Sequence, residues 1–337
     1  MSRIIIAIIL ALVAWPADAL LPTGTPGPVA LPYSGVCDVS ADPCSAAWGF
    51  RAQSLAIAQN GNAAFLWDCT NGGAQSGTVH VQSDGNLSAS DLTALSSACG
   101  ANQVTINTLC DQIANACGTA GSDFINTNGA SFEPVFLASA GQGTTKPGMD
   151  TTTNGGRCLI NRTSLASHTK PNSWFMVSYA YNNFTNNNHW DYWGNDTSVN
   201  GFDYILLMDQ GFPSTGITFD NGSTYNPPNA IGLQLTPPAW ARLMFQLLPS
   251  NGGALYLNAS TGGASVSGTV TGGNTTTGSF PWIKWPHANT FATCNGNGSG
   301  NGTAARTINL EMQWWQSKDE SGSAAAIDAN AHAWWGI

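Results

Sequence analysis

In the middle of the chain stands a long, largely apolar stretch, residues 174–181, WFMVSYAY. Its aromatic and β-branched content, bounded by Asn and Ser, predicts a buried strand. A second run of the same kind, residues 204–208 (YILLM), predicts another. The stretch between them is crowded with His189, Trp190, Asp191, Tyr192, Trp193 and Asp196 and reads as a loop, with Asp203 standing directly before the second strand. Short apolar runs at 104–109, 158–161, 217–219, 242–248, 254–257, 266–270 and 307–315 are separated by Gly, Pro and Asn turns. Many short strands at this spacing predict an all-β sandwich or jelly roll.

Helical signals are fewer. In residues 45–59, Trp48, Leu55 and Ala58 recur at roughly helical spacing, which predicts a short amphipathic helix. Ser88 followed by Asp91 resembles a capping box and predicts a second helix to about Ala98. Residues 321–335 predict a C-terminal helix ending at Trp334, Trp335 and Gly336, and the Gly/Thr-rich segment 138–156 predicts a surface loop.

At the other end, Arg3, an apolar run over 4–13 and the small-x-small triplet Ala17-Asp18-Ala19 predict a secretory signal peptide over residues 1–19. A Pro/Gly-rich extended leader (20–36) and a single jelly-roll domain (37–337) are expected to follow. No apolar run reaches the ~20 residues that a membrane-spanning helix needs.

Composition sharpens this picture. Charged residues are only 9% of the chain, against roughly 25% in an ordinary globular protein. Apolar residues are 42% and include 13 Trp, enough for a sizeable core. The net charge is −9 and the ten Lys and Arg are scattered singly, so no basic stripe exists for phosphate contacts and nucleic acid is excluded as a partner. Neutral glycans are the favoured ligands. Eight cysteines in an exported chain predict disulfides; Cys37 with Cys44, across a loop containing Pro43, is the pairing the spacing favours, followed by Cys110 with Cys117. No C-x-x-C pair is present and the five His are far apart, so no metal site and no cofactor are implied. Without a G-x-S-x-G motif, acyl hydrolysis has no support.

The chemistry that remains is that of sugars. Rings cover the C–H face of a pyranose or furanose while carboxylates handle hydroxyls and protons. The candidate acids are Asp203, Asp191 and Glu311, with Asp196 and Asp209 in the same central stretch, and the candidate platform is His189, Trp190 and Trp193. Trp282 and Trp285, between Pro281 and Pro286, predict a rigid exposed loop that either stacks on a glycan or caps the core. Asp111-Gln112 reads as a turn.

Taken together, Cys37-Asp38-Val39 with Cys44, the segment around Arg51, Ser83-Asp84-Gly85, the helix starting at Ser88, Asp111-Gln112 and the closing Asn309-Leu310-Glu311-Met312 resemble the catalytic domain of secreted α-L-arabinofuranosidase B. More broadly they resemble concanavalin A-like jelly rolls. That resemblance implies removal of α-L-arabinofuranosyl groups with retention, by one acid that attacks the anomeric carbon and a second that protonates the leaving oxygen. The position matching the family's nucleophile is Asp203, and His189-Trp190 stand where the family has a vicinal Cys-Cys pair. Where the family carries its acid/base aspartate, this chain has a Gly/Asn loop with Asn295 and Asn297, and no Asp or Glu occurs from Asn221 to Leu310. The alternatives are a non-catalytic lectin-like module using the same aromatic stretch, and a structural or adhesive surface protein.

Overall fold

The computed structural model describes residues 32–70, 75–126, 133–151, 159–163, 168–180, 189–198, 201–209, 216–220, 231–235, 238–250, 252–269, 277–278, 282–285, 302–304 and 307–337; for 168–169, 180, 189–198, 201–209, 216–220, 277–278, 282–285 and 302–304 it describes the backbone. Tyr33–Ile337 form one compact unit.

The first strands are β1 (Ala46–Gly49), β2 (Ala63–Cys69), β3 (Ser76–His80), β4 (Val104–Leu109), β5 (Phe124–Ile125), β6 (Val135–Leu137), β7 (Gly148–Asp150) and β8 (Leu159–Asn161). The middle of the chain forms β9 (His168–Thr169), β10 (Asn172–Ala180), β11 (His189–Ser198), β12 (Gly201–Asp209), β13 (Gly216–Asp220) and β14 (Ile231–Gln234). β15 (Ala239–Leu248), β16 (Gly252–Leu257), β17 (Ser265–Thr269), β18 (Thr277–Gly278), β19 (Trp282–Trp285), β20 (Gly302–Ala304) and β21 (Thr307–Trp315) complete the set. The helices are α1 (Val36–Val39), α2 (Leu55–Asn60), α3 (Ala89–Cys99) and α4 (Ala324–Trp335).

Pairing arranges these strands as two runs. In one, β1 and β7 flank one side of β21, and β10, β15, β16 and β17 follow on the other. The other runs β3, β2, β4, β5, β8, β19, β11, β12, β13, β14. β6 joins the two through β4 and β7. Among the described residues every pairing is antiparallel except β11 with β20. This is the all-β jelly-roll sandwich expected from the strand spacing.

Hydrophobic pattern explains the centre. Residues 172–179 of β10 and all nine residues of β21 are buried, as strands covered on both faces must be. Trp174 stacks between Trp314 and Phe245, with ring centroids 6.1 and 5.4 Å away. Each such fully buried large side chain contributes about 1.5–3 kcal/mol.

Several expectations are corrected. Residues 46–49 are a strand, not the start of a helix: β1 pairs with β21, and the helix begins only at Leu55, where the Ser54 side chain accepts from Ile57 N. Tertiary pairing overrides helical spacing here, and Gly49, at φ +153°, runs so close to Glu311 that a Cβ would lie 2.7 Å from that residue's Cβ. β2 and β3 were not legible as strands, and β7 lies inside the expected surface loop at 138–156. His189–Ser198 is a strand rather than a loop, and Trp282–Trp285 is a strand paired with β11 and β8.

Other expectations hold. Ser88 caps α3 by accepting from Asp91 N, and the terminal helix is α4, entered through a single 3₁₀ turn. Cys37–Cys44 and Cys110–Cys117 are bridged, and Cys69–Cys99 adds a third disulfide that ties β2 to α3. Cys158 and Cys294 lie outside the described residues. No described helix is long and apolar enough to cross a membrane.

Candidate functional site

The acids divide into two kinds by their surroundings. Glu311, in β21, is fully buried: Arg51 Nε and Nη2 donate to its two oxygens at 2.6 and 2.9 Å, and Trp335 Nε1 donates at 2.8 Å. Trp334 and Trp335 lie on the guanidinium at 5.6 and 5.7 Å. A carboxylate with a bidentate arginine and an indole donor, and no solvent, is a core tie between β21, the segment after β1 and α4. It opens onto no cleft, so its geometry is that of a structural acid. Asp111 is also closed in. It accepts from Ala47 N and from Ile113 N, and burial pushes its carboxyl above the usual range.

The central stretch is different. Gly194 of β11 lies directly opposite Ile205 of β12, and Ile205 opposite Asp220 of β13. Asp196 pairs with Phe202, the residue before Asp203, and Asn195 with Tyr204, the residue after it. The register slips by one residue between Asn195 and Asp196, so that Asp203 is the extra residue of a β-bulge beside Asp196. Bulges of this kind bend a strand and re-aim its residues, and they recur beside active sites. On the other side of β11, Asp196 pairs with Trp282 and Gly194 with Lys284 of β19. Four adjacent strands therefore bring Asp196, Asp203, Asp220, Trp282 and Lys284 close together in register at one end of the sheet. By strand spacing, the Cα of Asp203 lies about 6–8 Å from those of Asp196 and Asp220.

The same register sorts the other candidates. Asp191 pairs with Leu207, about 14 Å from Asp203 along the sheet. Trp190 pairs with Met208 and Trp193 with Leu206, farther from Asp203 than Asp196 is. His189 enters through the parallel pairing with Gly302 of β20. Asn295 and Asn297 lie outside the described residues. Asp220 was missed in the sequence because its relevance is a matter of register: it closes β13 and has no neighbour in the chain that suggests chemistry. Among the described residues no group of three or more His, Cys, Asp or Glu side chains is placed to hold a metal ion.

No protein-family model matches the sequence, and no curated protein matches it. Solved structures do. A GH54 α-L-arabinofuranosidase soaked with a cyclic sulfate inhibitor superposes with a TM-score of 0.60 at 14% identity. The fold is similar to that of an arabinofuranosidase. A second such structure, complexed with arabinofuranosyl-α-1,2-xylobiose, gives 0.61 at 15% identity. In both, the match covers 89% of this chain and 65% of the arabinofuranosidase, so this chain spans less than two thirds of the proteins it resembles. At this identity the likeness is one of fold.

Proposed function

We propose that this chain is a secreted, glycan-active β-sandwich enzyme that hydrolyses terminal α-L-arabinofuranosyl groups of neutral glycans. The observation that carries the reading is the gathering in register of Asp196, Asp203 and Asp220 at one end of β11, β12 and β13, with Trp282 paired to Asp196. Glycoside hydrolysis needs two carboxyl groups flanking the scissile bond, about 5–5.5 Å apart for retention. The fold likeness to arabinofuranosidases supports the substrate class, and three disulfides suit an oxidising, extracellular compartment.

Roles follow from position. Asp203 lies in register on the strand between those of Asp196 and Asp220. We assign it as the proton donor, the reverse of the nucleophilic role that the sequence resemblance gives it. Asp220, at the margin of the group, attacks the anomeric carbon. Asp203 then takes a proton from the water that releases the sugar. Trp282 covers the apolar face of the furanose.

The test separates the two acids by leaving group. Asp220→Asn should abolish turnover of both 4-nitrophenyl α-L-arabinofuranoside and arabinofuranosyl-α-1,2-xylobiose, by about 10³-fold or more. Asp203→Asn should cost as much on the oligosaccharide and far less on the nitrophenyl substrate, whose leaving group departs without a proton. Full turnover of the oligosaccharide by both variants would sink the assignment.

A further inference from the structure

Away from the β11–β13 face, on the β3–β2–β4 end of the sandwich, a solvent-open cleft of about 270 Å³ is lined by Leu66, Trp67, Asp68, Ser76, Gly77, Thr78 and Asn107. Its construction is specific. β2 pairs with β3 through Leu66↔Thr78, Trp67↔Gly77 and Asp68↔Ser76. Trp67 is buried under Gly77, where a Cβ would come within 2.7 Å of the indole, so only glycine lets the strand lie on that ring. On the other side of β2 the register with β4 slips between Leu66 and Trp67, leaving Asn107 as the extra residue of a bulge.

That bulge delivers one amide to two acids. Asn107 Nδ2 donates to Asp68 Oδ2 and to Glu133 Oε1, both at 3.2 Å, while its own Oδ1 accepts from Thr108 Oγ1 at 2.9 Å. Glu133 is buried and also accepts from Thr105 Oγ1 at 2.6 Å. Asp68 lines the cleft half-buried and receives this one hydrogen bond among the described residues, so its carboxylate has acceptor capacity to spare. Thr78 and Ser76 add hydroxyl groups beside it, and Leu66 and Gly77 supply an apolar wall.

We propose that this cleft is a second, non-catalytic saccharide site that holds one ring of a neutral glycan. A sugar hydroxyl both donates and accepts, and the cleft offers an acceptor-only carboxylate next to the hydroxyls of Ser76 and Thr78, which do the complementary work. No cationic side chain lines it, which disfavours anionic ligands. A divalent cation is disfavoured as well, because an N–H₂ group already occupies the position between the two carboxylates where a cation would sit. The site shares the ligand class of the proposed function but no residue with the β11–β13 face.

The two can be tested apart by titrating arabinofuranosyl-α-1,2-xylobiose into Asp203→Asn protein by calorimetry. Asp68→Ala in that background should remove one binding event per chain, from two to one, or weaken it at least tenfold. Ser76→Trp, which fills the cleft from exposed β3 without touching a carboxylate, should do the same with an unchanged melting temperature. If only this site binds, the count falls from one to none, which upholds the cleft and fails the catalytic reading. Unchanged stoichiometry and affinity in both variants overturns the proposal, as does binding that is lost to a chelator and restored by calcium.

Discussion

Glu311 and Asp203 sit on strands of equal length in the two runs of the sandwich, and they keep opposite company. Glu311 is met by a guanidinium and an indole N–H, so every oxygen is satisfied and the ion pair is sealed from water. Asp328, on α4, follows the same rule: Arg242 Nε donates to it at 2.8 Å, in a pair that is almost wholly buried. Asp203, by register, is flanked by Asp196 and Asp220. An acid whose oxygens are taken up by buried donors is committed to the fold, whereas acids brought together across neighbouring strands are the pairing that glycoside hydrolysis uses. The difference teaches that acidic residues in a β-sandwich must be judged by their cross-strand neighbours, which the linear sequence hides.

The comparison breaks most visibly if Glu311 is removed. Glu311→Ala leaves Arg51 charged and buried without its partner, and the expected loss of stability is about 3–5 kcal/mol, read from denaturant or thermal melts. Arg51→Met with Glu311→Leu should recover most of that loss, since an apolar pair of similar volume avoids the desolvation of both charges. Were Glu311 a proton donor, its loss would stop turnover and leave the melting curve in place.

How much of this was legible follows the same division. Strand β10 is written in a near-continuous apolar run, β21 in an alternation of apolar with polar residues and α4 in an Ala/Trp-rich segment, and the disulfides at Cys37–Cys44 and Cys110–Cys117 follow from short spacing. β1 was misread because Trp48 falls at roughly helical spacing from Leu55 and Ala58, and only the pairing of β1 with Met312 and Trp314 shows it to be a strand. The stretch from His189 looked like a loop because its polar and aromatic residues suggest surface, yet it is zipped on both edges. Glu311 was readable as either acid or anchor, and Arg51, 260 positions away in the chain, settles which.

A smaller effect sharpens the account of the aromatic residues. Trp282 pairs with Asp196, whereas Trp193 pairs with Leu206. Trp282→Ala should raise KM for arabinofuranosides about tenfold with little change in melting temperature, as expected when a stacking platform worth about 1–2 kcal/mol is lost. Trp193→Ala should instead leave KM near its original value. The reverse pattern would mean that Trp193, and not Trp282, meets the sugar.

The smallest effect concerns pH, and it compares two acids near the surface. Burial in the cleft holds the Asp68 carboxyl above the usual range, against the opposing pull of Asn107. Its folded-state pKa therefore exceeds the unfolded value of about 3.9, and the stability this gives is complete below that value and is lost as pH rises through the folded pKa. Asp84 has the opposite sign: hydrogen bonds from the Asn86 side chain and backbone hold it low, so its contribution is present above the unfolded pKa and is lost as pH falls. The melting temperature of Asp68→Asn relative to the native chain should accordingly rise between pH 3 and 6, and that of Asp84→Asn should fall over the same window. Both slopes will be shallow because water screens each group. A flat line for Asp68→Asn would show its carboxyl solvated like any surface acid, and the cleft would lose the half-buried acceptor on which saccharide binding there depends.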